Sequence, residues 1–141
     1  MNAQLLFAIN HLQHIGIPVR DIAVSEMFYS RLGFANVMQS AFTTADGNGT
    51  CIMMKNNAVI IELYQLPAKQ MDEIKNRKDG HIDHIAFDVD DIELAFGQLK
   101  KASFQIIEQA PVFLSFWKKG CKYFNITGPD GERLEFNEIL K

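Results

Sequence analysis

Between Leu12 and Val19 the chain alternates. Ile15, Ile17 and Val19 fall on one parity and His14, Gly16 and Pro18 on the other, the period-two pattern of a strand with one face on the core. This predicts a strand that carries His14 on its less apolar face. The period then changes: Asp21 stands where a helix N-cap belongs, Val24, Met27, Phe28 and Leu32 supply an apolar stripe, and Gly33 ends the helix. Val37 to Thr44, Thr50 to Met54 and Ala58 to Tyr64 are predicted strands, separated by the turn sequences ADGNG and Lys55-Asn56-Asn57. The first stretch therefore reads βαβββ.

Pro67 to Asp79 is a charged segment with Pro at a plausible first helical position, closed by Gly80. After it the pattern starts again. His81 to Val89 reads as a strand, Asp91 caps a helix with Ile92, Ala95, Phe96 and Leu99 at i, i+3, i+4 and i+7, and Phe104 opens the next strand. Cys121 to Thr127 and Arg133 to Ile139 follow as strands joined by Gly128-Pro129-Asp130-Gly131. A shift of 70 positions carries His11 onto His81, His14 onto His84, Asp21 onto Asp91, Phe34 onto Phe104 and Cys51 onto Cys121. The chain is a duplicated module. We expect one α+β domain over 1–141, made of a βαβββ module at 11–66, a linker at 67–80 and a second βαβββ module at 81–141.

Composition narrows the partners. A net charge of -3 without a long Lys/Arg run excludes a nucleic-acid surface, which needs a basic face, and favours a small-molecule substrate. The longest apolar run, Leu5 to Ile9, is too short to span a bilayer and has no signal-peptide features, so the expected location is cytoplasmic and off the membrane. Cys51 and Cys121, at matching places in the two copies with no CxxC motif, read as free, core-packed strand thiols.

The duplication also pairs chemistry. Glu62 lies inside the apolar run AVIIELY, and Glu135 lies in RLEFNEI, where it shares a strand face with Arg133 and Asn137 opposite Leu134 and Phe136. One first-strand His and one fourth-strand Glu per copy, meeting on the concave face of a curved sheet, would give two imidazoles and two carboxylates. His14, Glu62, His84 and Glu135 are thus the expected ligands of one divalent ion, Ni²⁺ or Zn²⁺ first and Co²⁺, Mn²⁺ or Fe²⁺ next; the set is too rich in nitrogen for Ca²⁺ or Mg²⁺. Taken singly, a strand His is a hydrogen-bonded core residue and a strand Glu a solvated edge; four of them at equivalent places carry the metal reading. His11 and His81, three positions before each proposed ligand, fall on the opposite strand face and read as structural.

At HIGIPVRDIAVSEMFYSRLGF, HIDHIAFDVDD and GPDGERLEF the sequence resembles the vicinal oxygen chelate superfamily, over Leu12 to Ile139. The resemblance implies paired βαβββ modules around one metal, with ligands on His14, Glu62, His84 and Glu135, the His, Glu, His, Glu pattern of glyoxalase I. It implies a homodimer as well. Epimerases of the superfamily commonly have Gln at the position of Glu62, and they and the fosfomycin enzymes carry a catalytic Glu in the middle strands of the first module, where residues 35–57 hold none. Glyoxalase I has an Arg four positions after the first His and an Asn four after the first Glu, both toward glutathione; Pro18 and Leu66 stand there instead.

The expected chemistry is proton transfer beside a carbonyl, and the resemblance implies Glu135 as first candidate base with Glu62 its symmetric partner. The substrate implied by the resemblance is a 2-oxoaldehyde such as methylglyoxal in adduct with a small thiol. Arg133 is an expected anion contact, and Phe113, Phe116, Trp117 and Lys119 in VFLSFWKKG are candidate substrate-binding residues of a lid, with core plus solvated turn the alternative. Two other functions fit the same residues: another metalloenzyme of the superfamily (epimerase, thiol transferase or dioxygenase), and a non-catalytic protein that binds a small molecule or antibiotic.

Overall fold

In the computed structural model, which describes residues 6–77, 82–127 and 133–141, the elements run β1 (Ile9–Pro18), α1 (Ile22–Arg31), β2 (Ala35–Thr44), β3 (Gly47–Asn56), β4 (Val59–Gln65), a 3₁₀ turn at Ala68–Gln70, α2 (Met71–Asn76), β5 (His84–Val89), α3 (Ile92–Lys101), β6 (Val112–Leu114), β7 (Cys121–Thr127) and β8 (Arg133–Ile139). The βαβββ order is present twice, in an α+β fold. The chain divides into two compact units, His14–Asp83 and Met1–Gln13 with His84–Lys141, so that β1 gives its first half to one and its second half to the other.

In the His14–Asp83 unit the strand order is β2-β3-β4-β1. β2 and β3 form a hairpin through Ala45-Asp46, β3 and β4 are antiparallel, and β4 lies parallel to β1 with Gly16 opposite Glu62. The predicted ADGNG turn is therefore shorter, since Gly47 to Gly49 pair with β2. One face of these strands packs Val19, Ile52, Met54 and Leu63 under α1. The other unit repeats the plan as β1-β5-β8-β7-β6, with β5 parallel to β8 and Ala86 opposite Glu135. Its core is Val89, Ile92, Ala95, Leu99, Phe124, Ile126 and Phe136, with Phe124 stacked on Phe136 at 5.3 Å.

The two helices are anchored alike. Asp21 Oδ1 accepts from Ala23 N and Val24 N, and Asp91 Oδ1 accepts from Leu94 N, as the capping positions predicted. In each copy a fourth-strand side chain takes the first helical N–H: Gln65 Oε1 from Ile22 N at 2.8 Å, Glu138 Oε2 from Ile92 N at 2.9 Å. The helices differ in which face they bury. α3 buries Ile92, Ala95 and Leu99, as its period predicted. On α1 the predicted stripe faces outward, with Phe28 55% exposed and Val24, Met27 and Leu32 more so, while Ile22 and Tyr29 meet the core. The sequence has apolar residues on two faces of this helix, and the sheet takes the one that carries Ile22 and Tyr29.

A second correction concerns Phe104, which opens no strand. Residues 104–111 make only an isolated bridge, Ile106 with Ile126, before the short β6. The cause is Glu108, whose carboxylate accepts from Asn125 N at 2.6 Å and from Asn125 Nδ2 at 2.7 Å and so takes the place of a ladder partner, while Pro111 has no N–H to offer. Strand β5 begins at His84 rather than at the predicted position 81. His81, Gly80 and the Gly128-Pro129-Asp130-Gly131 turn lie outside the described residues. Cys51 and Cys121 form no disulfide among the described residues and are fully buried, as expected.

Candidate functional site

Strand parity explains how each unit brings its His and Glu together. In the His14–Asp83 unit, Ile17 and Val19 go to the core beneath α1, and the parallel β1/β4 ladder sets the opposite parity of β1 beside the Glu62 face of β4. His14 Nε2 lies 3.3 Å from Glu62 Oε2, with His14 buried at 1% exposure. In the other unit, Phe87 and Val89 point to the Phe124–Phe136 core, so His84 and Glu135 share the other face. His84 Nε2 lies 3.3 Å from Glu135 Oε2, and both residues are buried.

Both separations exceed the 2.7–2.9 Å typical of a charge-assisted N⁺–H···O⁻ bond. Each pair sets an imidazole nitrogen beside a carboxylate oxygen, at a spacing that two ligands of one ion can also have. Imidazole nitrogen with carboxylate oxygen, withdrawn from water, is a donor set that fits a late first-row divalent ion and fits Ca²⁺ or Mg²⁺ poorly.

The carboxylate of Glu135 has further partners. Asn137 Nδ2 donates to Oε1 at 2.8 Å, and Asn137 Oδ1 accepts from Gln13 Nε2 at 3.1 Å. Burial pushes the Glu135 carboxyl above the usual Glu range; the His84 and Arg133 charges and the Asn137 hydrogen bond oppose this, and Glu108 adds to it. Arg133, exposed at the start of β8, thus acts on Glu135 through its charge. Gln13 and Asn137 were not among the expected site residues. Their only signals in the sequence are a polar residue next to His14 and an Asn at the same strand parity as Glu135.

The VFLSFWKKG segment divides by residue. Phe113 is exposed on β6 and lies over Gly120, where an added Cβ would come 2.3 Å from its ring, while Phe116 is buried. Trp117 sits in the left-handed region (φ 65°) with its indole N–H buried and without an acceptor among the described residues. Lys119 is exposed. Pro18 is buried at the end of β1, and Leu66 follows β4 half-buried.

Two βαβββ units, each setting a first-strand His against a fourth-strand Glu, define a protein of the paired-module class. The chain belongs to the Glyoxalase/Bleomycin resistance protein/Dioxygenase superfamily, whose profile matches residues 11–136. This is the vicinal oxygen chelate superfamily, whose members are commonly enzymes and typically bind a divalent metal. The chain is similar to YwbC of Bacillus subtilis strain 168, 29% identical over 135 residues that cover 89% of this chain and 94% of that protein. Among solved structures it is similar to the hypothetical protein BH1468 of Bacillus halodurans C-125 (TM-score 0.76, 23% identity, 93% of this chain and 95% of that one). It is also similar to methylmalonyl-CoA epimerase of Mycobacterium tuberculosis (TM-score 0.76, 18% identity, 99% and 95%). At these identities the structural likeness carries the fold. Among the described residues no helix is long and apolar enough to cross a membrane.

Proposed function

We propose that this protein is a metal-dependent enzyme that moves a proton at a carbon next to a carbonyl, with isomerisation of a 2-oxoaldehyde–thiol hemithioacetal to a 2-hydroxyacyl thioester, as in glyoxalase I, as its reaction. His14, Glu62, His84 and Glu135 would together hold one divalent ion, Ni²⁺ or Zn²⁺ first. The observation that carries this reading is the repeat itself: each unit sets its His and Glu at the same 3.3 Å, in buried surroundings. A bound ion would act as a Lewis acid on the substrate oxygens. Glu135 would take the proton at Oε2 from the carbon that bears hydroxyl and sulfur and return it to the neighbouring carbonyl carbon, while the hydroxyl proton passes to the former carbonyl oxygen. The net change is an internal isomerisation with no outside oxidant. Burial of the His84–Glu135 pair shields the transferred proton from water. Arg133 and the exposed Lys119 are candidate contacts for an anionic group of the substrate, with Phe113, Phe116 and Trp117 its apolar wall.

Epimerase chemistry of the kind carried by the solved neighbour is the weaker reading, because β2 and β3 contain no Glu to serve as a second base. Pro18 and Leu66 supply no polar group at the glutathione positions, which favours a different small thiol. The reading also includes a cytoplasmic homodimer. Elemental analysis of the purified chain, followed by assay of methylglyoxal with a panel of thiols after reloading with Ni²⁺, Zn²⁺, Co²⁺, Mn²⁺ or Fe²⁺, tests it. Turnover restored by ion is the expected result. Bound ion with no turnover on any thiol adduct would point to another metalloenzyme of the superfamily. No stoichiometric ion would leave a small-molecule binding protein.

A further inference from the structure

Within the unit that holds His84 and Glu135, four side chains form a chain of hydrogen bonds whose direction is set at its outer end. Asp88 accepts at both of its oxygens: its Oδ2 takes Asn10 Nδ2 at 2.9 Å and its Oδ1 takes Gln13 Nε2 at 3.1 Å. Gln13 must therefore turn its amide nitrogen this way. The same nitrogen donates to Asn137 Oδ1 at 3.1 Å and to the Asn137 carbonyl at 3.3 Å. With its oxygen so occupied, Asn137 has only Nδ2 to offer Glu135, and Nδ2 donates to Oε1 at 2.8 Å. Gln13 and Asn137 are each 3% exposed, so water does not compete for these bonds. Two buried amides that merely filled space would do so less well than apolar residues of the same size.

We propose that Gln13 and Asn137 are positioning residues for Glu135. They hold Oε1 to the protein and leave Oε2, the oxygen 3.3 Å from His84 Nε2, as the atom presented to ion and substrate. This rests on the reading of Glu135 as ligand and base given above. The two copies differ in residue type at these places, since Tyr64 stands two positions after Glu62 and Asp83 stands where the repeat places Gln13. The relay marks Glu135 as the carboxylate of fixed orientation.

The test uses substitutions that keep shape and reverse polarity. Q13E cannot donate to Asp88 and Asn137, N137D sets an acceptor against Oε1, and D88N, at the half-buried outer end, lets the relay turn round. Co²⁺ affinity, by competition with a chelator, and the visible Co²⁺ spectrum are read on the full chain alongside apo thermal stability. Q13E and N137D are expected to weaken Co²⁺ about 10–100-fold with a changed spectrum, D88N less, and the Q13E/N137D double variant no more than the weaker single. Affinities within twofold of wild type with an unchanged spectrum, or losses that simply add, would overturn the relay while leaving the metal reading intact. D88N keeps the test open where a buried variant does not fold. Wild-type protein that takes up no Co²⁺ would sink the metal reading instead. The relay is then judged by exchange of the Asn137 side-chain amide protons, expected to be protected in wild type and not in Q13E; no protection in wild type would overturn it.

Discussion

The two copies of the module present the same pair of side chains at the same distance and differ in what stands behind the carboxylate. His14 and Glu62 meet at 3.3 Å in one unit, His84 and Glu135 at 3.3 Å in the other. Behind Glu135 lie Asn137, Gln13 and Asp88, an amide relay anchored on a charge; two positions after Glu62 stands Tyr64, an aromatic residue buried in its place. Duplication explains the symmetric donors. The later difference behind them is what can assign separate tasks to two carboxylates that started equal.

The largest effect should come from breaking that distinction directly. E135Q is expected to lower turnover roughly 10²–10⁴-fold at saturating ion, the usual contribution of a positioned base, whereas E62Q should raise the ion concentration required more than it lowers the saturated rate. Steady-state kinetics across an ion titration separates the two, and equal losses in both columns would remove the asymmetry. The helices extend the comparison to stability. Phe124→Ala, beneath α3 and stacked on Phe136, should cost about 3–5 kcal/mol in denaturant unfolding, while Phe28→Ala, on the outward face of α1, should stay within about 0.5 kcal/mol.

The caps should behave alike in the two copies. D21A and D91A are each expected to cost about 1 kcal/mol, because each removes the side-chain acceptor of the first helical turn. A loss confined to one helix would show that the copies are not equivalent even at their frames. Acidity gives the subtlest test. With the Glu135 carboxyl raised by burial, the folded metal-free protein keeps its proton to higher pH than the unfolded chain does. Stability from this group is then complete below the ordinary Glu range near 4.3 and is lost as pH rises through the raised value. Chelator-treated E135Q should lack that decline, and unfolding curves from acid to neutral pH would show it; parallel profiles would deny that Glu135 is perturbed.

Much of this was legible in the sequence, for physical reasons that differ by element. The Asp21 and Asp91 caps and strands β7 and β8 follow from local rules, since a cap or a period-two run needs no distant partner. The pairing of each His with its Glu was legible because the repeat placed both on predictable strand parities. What local rules could not decide was competition at a distance. Apolar residues lie on two faces of α1, and only the sheet chooses Ile22 and Tyr29 over Val24, Met27, Phe28 and Leu32. Phe104 looked like a strand start until Glu108 reached Asn125, a contact set by register in β7. The Gln13–Asn137 relay was hidden in the same way, because an amide's partner depends on which residues the ladder brings beside it.

The central claim is that two half-sites written by one repeat serve a single ion. Ion stoichiometry on wild type, H14A and H84A, by elemental analysis after reloading and desalting, tests it most directly. One ion per chain in wild type and loss of tight binding in both variants are the expected results. An ion that stays tightly bound when either His is removed would contradict it.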